Sequence, residues 1–387
     1  MIDSINKKNC TGCQMCESIC PVSAIKCVLD NEGFWYPKID YSICTKCGIC
    51  VKKCPTLSGK TYTATNFEIP DTYAAWTKNE KLRLNSTSGG IYGELARYIL
   101  EIGGYIAGVI FDDNFVAKHI VSNAKADYDK IIGSKYFQSD TNGVYNKIKN
   151  LLIDGQTVLF CGNPCQSAAL LSYLDKDYQN LYTCDFICRG NLSPKAFKKY
   201  KEMLEKQYNS PLKELHFKNK TIGWNDFGTK AIFENGEEYF KGRNEDLYIK
   251  SYIHYNLFLR PSCLECQFKK MPRVSDITFG DYWDVAENVD KSLDDNKGTS
   301  VVLINSAKGQ YLFDSIKKDI NYTLTTIEQV HKGNACLLAS AKKGEKRDVV
   351  FANIDNYDFD VLINKFTKES ILSIIKGKLR GVLGKWT

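Results

Sequence analysis

Two groups of cysteines near the start of the chain repeat one spacing, over residues 10–20 and 44–54. Each group has three cysteines with two residues between neighbours, then a fourth after three intervening residues, followed by proline. Three such thiolates can wrap three irons of one four-iron cubane, while the fourth reaches the neighbouring cubane. Zinc sites instead pair two Cys-x2-Cys motifs, so zinc is the weaker alternative. The sequence therefore predicts two 4Fe–4S clusters, one held by Cys10, Cys13, Cys16 and Cys54, the other by Cys20, Cys44, Cys47 and Cys50.

The duplicated run resembles that of bacterial two-cluster ferredoxins, so residues 1–57 are predicted to form an α+β ferredoxin-like domain. The stretch 34–37 between the two runs indicates a short strand or hairpin. Cys27 belongs to neither run and is predicted to be a packed thiol rather than a ligand.

The beginning of the sequence is polar and has neither an apolar signal-peptide core nor a twin-arginine signal. No apolar run reaches the roughly 18 residues of a membrane span. We therefore expect a cytoplasmic protein, and in that reducing compartment sixteen cysteines favour metal ligation over disulfides.

A second constellation of cysteines lies further along the chain. Cys161 and Cys184 fall inside apolar runs that predict strands, and Cys165 and Cys188 fall just beyond them. Strands of open α/β sheets deliver ligands at those carboxyl ends. The pair Cys263-Leu-Glu-Cys266 follows in a predicted loop. Four thiolates could thus converge, as a zinc site or as a third cubane, and the ferredoxin-like start favours the cubane. The predicted ligands are Cys165, Cys188, Cys263 and Cys266.

Beyond the ferredoxin-like domain, strand-length apolar runs alternate with helical periods, which indicates an α/β domain with a mixed sheet. Residues 58–71 are rich in Thr, Ser, Gly, Asn and Pro and are predicted to be a linker. Helices are predicted over 91–102, 164–174 and 193–206. Strands are predicted over 105–111, 157–161, 181–187, 212–218, 230–233, 276–279 and 301–305.

Six short stretches, in order along the chain, carry a family resemblance. They are Ser88-Gly89-Gly90-Ile91, Gly133-Ser134-Lys135-Tyr136, Gly162-Asn163-Pro164-Cys165-Gln166, Phe186-Ile187-Cys188, Cys263-Leu264-Glu265-Cys266 and Ser275-Asp276-Ile277-Thr278-Phe279-Gly280-Asp281. Residues 72–335 resemble the beta subunit of coenzyme F-420 hydrogenase/dehydrogenase, and members with a fused two-cluster ferredoxin look like the whole chain. The resemblance implies a flavin and 4Fe–4S domain whose cluster ligands carry over onto the four cysteines above.

The resemblance also implies that the flavin is FAD. A serine–glycine turn before a helix can present free N–H groups to a phosphate, so Ser88, Gly89 and Gly90 are predicted to bind it. From the residues alone, an ordinary capped helix is the favoured alternative. Lys135 is predicted to supply a positive charge near flavin or substrate, with a solvated lysine as the alternative. Asp281 is predicted to line the same pocket, or else to form a structural turn.

Two positions depart from the residues usual in the family. Asn163 stands where threonine is usual, and Arg189 stands where many bacterial relatives carry histidine. Asn163 is grouped with the predicted cofactor-binding residues, and both side chains are expected to face the substrate. Coenzyme F-420 is therefore only one candidate substrate, and a role in surface-polysaccharide biosynthesis is another expectation from the resemblance.

The formal net charge of +7 is spread among mixed lysines and acids, so we expect no nucleic-acid partner. Residues 336–387 are predicted to be a C-terminal extension with a basic amphipathic helix, either docked on the body or lying peripherally on the inner membrane face. The predicted apolar arc is Ile371, Leu372, Ile375, Leu379, Val382, Leu383 and Trp386.

The leading hypothesis is an iron–sulfur flavin oxidoreductase. It would pass electrons between the ferredoxin-type clusters, a third cluster and FAD, and would reduce or oxidise a small organic substrate or a deazaflavin. A soluble carrier such as ferredoxin is the expected partner. The alternative is a non-catalytic electron-transfer subunit that serves a partner enzyme, and an iron–sulfur nucleic-acid binder is weaker. The four histidines are scattered and no catalytic residue is assigned.

Overall fold

The computed structural model describes residues 1–60, 62 and 66–367. The predicted amphipathic tail helix falls on residues outside this described part. The N-terminal module contains a 3-10 turn (Ile2–Ser4), two short helices and one hairpin: α1 (Met15–Ser18), β1 (Ile25–Leu29), β2 (Trp35–Ile39) and α2 (Ile49–Lys52). Strands β1 and β2 pair antiparallel, which confirms the hairpin expected between the cysteine runs.

The body of the protein contains eleven described strands. They are β3 (Asp71–Thr77), β4 (Tyr105–Phe111), β5 (Ala117–Ser122), β6 (Val158–Cys161), β7 (Leu181–Phe186), β8 (Leu212–Asn219), β9 (Gly228–Phe233), β10 (Glu238–Gly242), β11 (Ile277–Asp281), β12 (Ser300–Ile304) and β13 (Ile320–Thr325). The described helices of the body are α3 (Glu80–Asn85), α4 (Ile91–Glu101), α5 (Lys125–Ile131), α6 (Val144–Ile153), α7 (Pro164–Leu174), α8 (Pro194–Tyr208), α9 (Leu247–Ile253), α10 (Val285–Asn288), α11 (Ala307–Asp314), α12 (Ile327–Gly333), α13 (Arg347–Ala352) and α14 (Phe359–Thr367).

Eight of these strands form one mixed sheet in the order β13-β3-β12-β11-β7-β6-β4-β5. The four central strands β4, β6, β7 and β11 are parallel, and the outer strands on both sides are antiparallel to their neighbours. Helix α7 makes the crossover from β6 to β7. It begins at Pro164 because Asn163 and Gln166 form a capping box and proline suits the first helical position. The predicted α/β domain with a large mixed sheet is confirmed.

A second, three-stranded sheet β10-β9-β8 packs with α8 and α9 around an aromatic core. Ser193 caps α8 by accepting a hydrogen bond from the Ala196 N–H, as its position before Pro194 predicts. Helices α13 and α14 bury Val350, Phe351 and other apolar residues in the same core. The described part of the predicted C-terminal extension therefore packs on the body, because its apolar side chains belong to the same hydrophobic core as Phe34.

The N-terminal module docks onto the body through the buried guanidinium of Arg260. Its Nε donates to the Cys10 carbonyl at 2.8 Å, and its Nη2 donates to the Trp35 carbonyl at 2.8 Å. Its Nη1 donates to Gln138 Oε1 at 2.9 Å, and the group also stacks 4.4 Å from the Tyr36 ring centroid. A buried guanidinium is tolerated when its donors are satisfied, so these partners fix the module's position.

The loop between the first two cysteines of the chain lies against the body. Gln138 Nε2 donates to the Thr11 and Gly12 carbonyls at 3.1 and 3.0 Å. Tyr145 Oη donates to the Cys13 carbonyl at 2.8 Å. Gly12 has a φ of +66°, and a Cβ there would lie 2.3 Å from Gln138 Nε2. Glycine at this position thus serves both the turn and the close packing against the body.

We expect Gly12→Ala to lower the free energy of unfolding by about 1–3 kcal/mol, because the added methyl displaces hydrogen-bonded Gln138 and Arg260. The control is Gly48→Ala, where φ is +73° and no atom lies within 4 Å of the new Cβ. The control carries the backbone strain alone, so it should be destabilised by less. Chemical unfolding of both variants measures the difference, and equal losses would contradict docking through this loop.

Candidate functional site

Four cysteines from three separate segments line one small cavity. Cys165 is the second residue of α7, Cys188 follows β7, and Cys263 and Cys266 come from the loop before β11. Both parallel strands β6 and β7 end at this edge of the sheet, which is why their following residues meet. Thr11, from the N-terminal module, lines the same cavity.

The walls of this small cavity suit a negatively charged group. Arg189, Lys269 and Arg273 contribute to the wall, and no aspartate or glutamate does so among the described residues. Burial raises the pKa of the Cys188 thiol to about 12 and that of Cys263 to about 11. Burial also raises the pKa of Cys165, and the neighbouring thiols of Cys266, Cys263 and Cys188 add to the effect. A metal that binds here must displace these protons.

In the part of the chain that the structure describes, no three histidine, cysteine, aspartate or glutamate side chains converge closely enough to hold a single metal ion. Cys336 is a further thiol at the wall of the small cavity. Lys269 Nζ binds the carbonyls of both Cys188 and Cys336, and so ties the two segments together. Cys161 and Cys184 instead pair across β6 and β7, away from that lining.

The structure also brings together the predicted ligands of the first N-terminal cluster. Burial raises the pKa of the Cys13 thiol, with smaller contributions from the nearby thiols of Cys54, Cys16 and Cys10. The grouping joins the last cysteine of the second run to the first run, as the ferredoxin spacing predicts. In the predicted set of the second cluster, Cys50 is buried, Cys20 and Cys44 are partly buried, and Cys47 is exposed.

Cys27 lies on β1, where its thiol neighbours that of Cys16. That contact, followed by burial, raises the pKa of Cys16 well above the usual value. Glu17 accepts from the Cys27 N–H at 2.7 Å and so fixes the strand beside the cysteine run. Cys27 therefore supports a predicted ligand, and its assignment as a packed thiol stays a prediction.

A second, larger cavity of about 610 Å³ opens beside the small one at the same edge of the sheet. The two cavities share one wall, formed by Cys188, Arg189, Gly190, Asn191 and Cys336. This volume falls within the range of roughly 300–1,000 Å³ typical of small-molecule sites. The large cavity also collects the predicted flavin region: Ser88, Gly90, Lys135, Asn163 and Asp281 all contribute to its wall.

The turn before α4 differs in one respect from the sequence-based expectation. The Gly89 N–H donates to Ser300 Oγ at 2.9 Å, and Ser88 Oγ donates to the Thr299 carbonyl at 2.8 Å. These groups hold the turn against β12 and are not free for a phosphate. The N–H groups that remain are those of the first turn of α4, beginning at Ile91, since no side chain caps this helix.

Lys135 is not the solvated lysine of the alternative prediction. Its Nζ donates to four carbonyls around the end of α5, at Lys130, Ile131, Ile132 and Gly133, with distances from 2.7 to 3.3 Å. Burial lowers its pKa to about 7, while the four carbonyl oxygens favour the ammonium form. Lys135 thus closes the end of a helix at the cavity wall, because its positive charge complements the helix dipole there.

Asp281 and Asn163 are both held by neighbouring side chains at the cavity wall. Asp281 Oδ1 lies 2.6 Å from the Nζ of buried Lys218, which also sits 4.5 Å from the Trp283 ring centroid. The Asn163 amide donates to Asn191 Oδ1 at 2.6 Å and belongs to the capping box of α7. Each residue therefore has a structural role in addition to its position at the cavity.

Several wall residues carried no signal in the sequence. Lys218 is the last residue of the strand predicted over 212–218. Nothing in the neighbouring sequence indicated that its side chain would be buried against aromatic rings. Arg243 stacks near Phe227 and Trp283 at the same wall. The rings that face Lys218 come from segments outside β8, so nothing local to the strand could identify them.

The cysteine groups and the α/β body with its cavity define an iron–sulfur protein of the oxidoreductase class. Residues 9–57 match the family model for the 4Fe-4S dicluster domain. Residues 155–330 match the model for the C-terminal part of the coenzyme F420 hydrogenase/dehydrogenase beta subunit. The chain thus joins a segment that matches the dicluster-domain model to one that matches the C-terminal part of the coenzyme F420 hydrogenase/dehydrogenase beta subunit, as the resemblance predicted.

Comparison with known proteins gives shorter or weaker similarities. The chain is 39% identical over 57 residues to NADH-quinone oxidoreductase subunit I of Pelobacter propionicus, covering 13% of this chain and 31% of that relative. It is 34% identical over 61 residues to an uncharacterized protein of the rpl9-rpl11 intergenic region of Porphyra purpurea, covering 14% of this chain and 77% of that relative. A chain of the F420-reducing [NiFe] hydrogenase complex from Methanosarcina barkeri gives a TM-score of 0.44 at 17% identity. The match covers 79% of this chain and 93% of that chain.

The two family models identify an iron–sulfur protein of the electron-transfer type, with a dicluster module over residues 9–57. The described helices include none that is both long and apolar enough to cross a membrane.

Cys13→Ser should lower the iron content of anaerobically purified full-length protein, because serine is a poor replacement for a buried thiolate ligand. Cys27→Ser, in the same module, should retain the iron of the wild type and its brown colour. Iron analysis and visible absorption measure both. Loss of iron in the Cys27 variant alone would contradict the predicted ligand set.

Proposed function

We propose that the chain carries electrons between an external carrier and FAD in the large cavity, and there reduces or oxidises a small organic molecule. The two clusters of the N-terminal module would exchange electrons with the carrier. A third 4Fe–4S cluster, held by Cys165, Cys188, Cys263 and Cys266, would connect them to the cavity. A deazaflavin such as coenzyme F420 is one candidate substrate, since the matched family is described by that name.

The observation that carries this proposal is the unbroken series of sites. Thr11, which separates two predicted ligands of the N-terminal module, lines the small cavity of the four thiols. That small cavity in turn shares the segment around Cys188 with the large cavity. Electron transfer needs closely spaced redox groups, and three such groups plus a ligand cavity would here adjoin one another.

The small cavity fits a cubane better than it fits a neutral group. Four thiolates bring four negative charges, and an iron–sulfide core offsets only part of them. Lys269 would offset part of the remainder from the wall, whereas Arg273 is already paired with buried Asp185 at 3.2 Å. The Asn191 N–H lies 3.3 Å from Cys263 Sγ and would donate to the thiolate, which is one way a protein sets a cluster's potential.

The large cavity offers FAD a polar end and an apolar interior. The first N–H groups of α4 point toward a phosphate position at the amino end of an uncapped helix. Ser86 Oγ is buried at the same wall without a hydrogen-bond partner among the described residues, and so could bind the same phosphate. Tyr92, Phe279 and Ile187 supply apolar surface to the cavity. When bound, FAD exchanges two electrons with an organic substrate and single electrons with clusters.

The residues of the chain would bind and orient these groups rather than react themselves. Lys220 Nζ donates to the Ser88 carbonyl at 2.6 Å and so holds the turn before α4. The Lys218–Asp281 pair, buried against Trp283, would keep that part of the wall rigid and dry. Arg189 binds Asn256 Oδ1 at 2.9 Å and stacks near Tyr252, which directs its guanidinium toward the shared wall.

A second candidate function is a non-catalytic subunit that passes electrons to a partner enzyme. The matched family is described as a beta subunit, which favours this alternative. In that case the large cavity would hold no substrate, and turnover would require a copurifying protein.

The third cluster predicts a defined loss of iron. If all three sites hold cubanes, the full chain binds about twelve irons, and Cys263→Ser should remove about a third of them. Cys184→Ser is the matched control, because Cys184 is buried within β7 and outside the lining of the small cavity. Iron analysis and low-temperature electron paramagnetic resonance would follow both variants. Unchanged iron in the Cys263 variant would refute the assignment.

Flavin binding is tested on the full chain by release of FAD on denaturation. Thr87→Glu should weaken flavin binding at least tenfold, because it places a negative charge at the cavity wall near the start of α4. Thr87→Gln has a similar size without the charge and should bind flavin nearly as the wild type does. Substitution of Gly89 is unsuitable, since a Cβ there would lie 2.3 Å from the Ala75 carbonyl.

Wild-type protein with full iron that contains no FAD and takes none up would refute the flavoenzyme proposal. Equal loss of flavin in the Glu and Gln variants would still be compatible with FAD in the large cavity. It would contradict the placement of the FAD phosphate at the start of α4.

A further inference from the structure

The two cysteine runs have the same spacing but opposite environments. In the first run, the loop that contains Gly12 and Cys13 is buried against the body. In the second run, the equivalent loop around Cys47 faces solvent, and Cys47 is the one exposed thiol among all sixteen. A near-symmetric module thus presents one predicted cluster to the interior and the other to the outside.

The residue equivalent to Gly12 in the exposed loop is Lys46. Both adopt the left-handed backbone conformation, with φ of +66° at Gly12 and +57° at Lys46. A residue with a Cβ is strained there, and glycine would relieve that strain. Lysine nevertheless occupies the strained position where the loop meets solvent, and a strained residue without a stabilising contact points to a role for its exposed side chain.

Other residues around the exposed loop share its character. Lys38 and Lys52 are exposed, and neither forms an ion pair within the described part of the chain, where Lys46 also has none. The nearby acids Asp40 and Asp3 bind uncharged donors of Ser42 and Tyr41 and keep their negative charges, so the three lysines outnumber two carboxylates. Tyr41 and Ile43 add apolar surface, with 56% and 49% of their area exposed.

We infer that this surface, defined by Lys38, Tyr41, Ile43, Lys46, Cys47 and Lys52, is the docking site of a small acidic electron-carrier protein. Exposed lysines beside exposed apolar side chains are complementary to a carrier whose redox group is surrounded by carboxylates. The inference deepens the proposed electron-transfer role, but it depends on neither FAD nor the third cluster.

The docked carrier donates one electron at a time to the cluster nearest Cys47. The carrier is oxidised by one electron, the cluster is reduced by one electron, and no bond or proton is transferred. Opposite charges accelerate such encounters by about 10- to 1,000-fold at low salt, and added salt screens the effect.

The experiment mixes full-length, iron-loaded protein with a reduced acidic flavodoxin in a stopped-flow instrument and follows oxidation of the carrier's flavin. Lys46→Glu/Lys52→Glu should lower the second-order rate constant roughly tenfold or more at low salt and should flatten its dependence on ionic strength. Lys46→Gly should lower the rate by a smaller factor while the melting temperature stays equal or rises, because backbone strain is relieved. A purely structural role for Lys46 predicts no such separation.

Two controls isolate docking from electron transfer itself. Reduction by the small cation methyl viologen radical should be no slower in the variants than in the wild type. Lys213→Glu makes the same charge change at an exposed site of β8 in the body and should leave the flavodoxin rate within about twofold of wild type.

Unchanged flavodoxin rates in all of the variants would overturn the inference. So would an equal slowing with methyl viologen, which would indicate damage to the cluster. If light scattering shows a dimer of the wild type that the double variant dissociates, the surface is instead an interface between copies of this chain. If the protein binds no FAD, the flavoenzyme proposal is refuted, but the flavodoxin oxidation rates still test the docking surface.

Discussion

The buried guanidinium of Arg260 is the interaction on which the arrangement of redox groups depends. A buried charge is stable only where its donors are satisfied, and the partners of Arg260 come from both the N-terminal module and the body. Removal of either part would leave some of the buried N–H donors of Arg260 without an acceptor. The position of the module relative to the sheet edge is therefore coupled to the folding of both parts.

That coupling explains why the sites follow one another. Arg260 donates to the Cys10 carbonyl, and Gln138 donates to the Thr11 and Gly12 carbonyls. Thr11, held in this way, lines the small cavity. The small cavity lies where β6 and β7 end, and the large cavity begins across the shared wall. Side chains at one edge of a parallel sheet thus line two adjacent cavities, and the hairpin module covers the outer one.

Spacing made much of the site predictable, because a cluster-binding run repeats with fixed intervals and Cys165 and Cys188 follow recognisable strands. The helix over 164–174 was predicted with its observed bounds, since proline and a capping box mark its start. The free N–H expected at Gly89 was wrong, because the Ser300 hydroxyl that accepts from it lies on a strand far along the chain. Arg260 had no detectable signal for the same reason: its partners are set by tertiary packing.

The docked module has a consequence for how the protein must be made. Cys10 and Cys13 are buried once the module lies on the body, and burial raises the pKa of both thiols. A delivery protein that inserts iron and sulfide needs access to these thiols and must release their protons. Iron and sulfide would therefore have to reach Cys10 and Cys13 before the N-terminal segment closes on the body, whereas the loop around Cys47 would stay accessible afterwards.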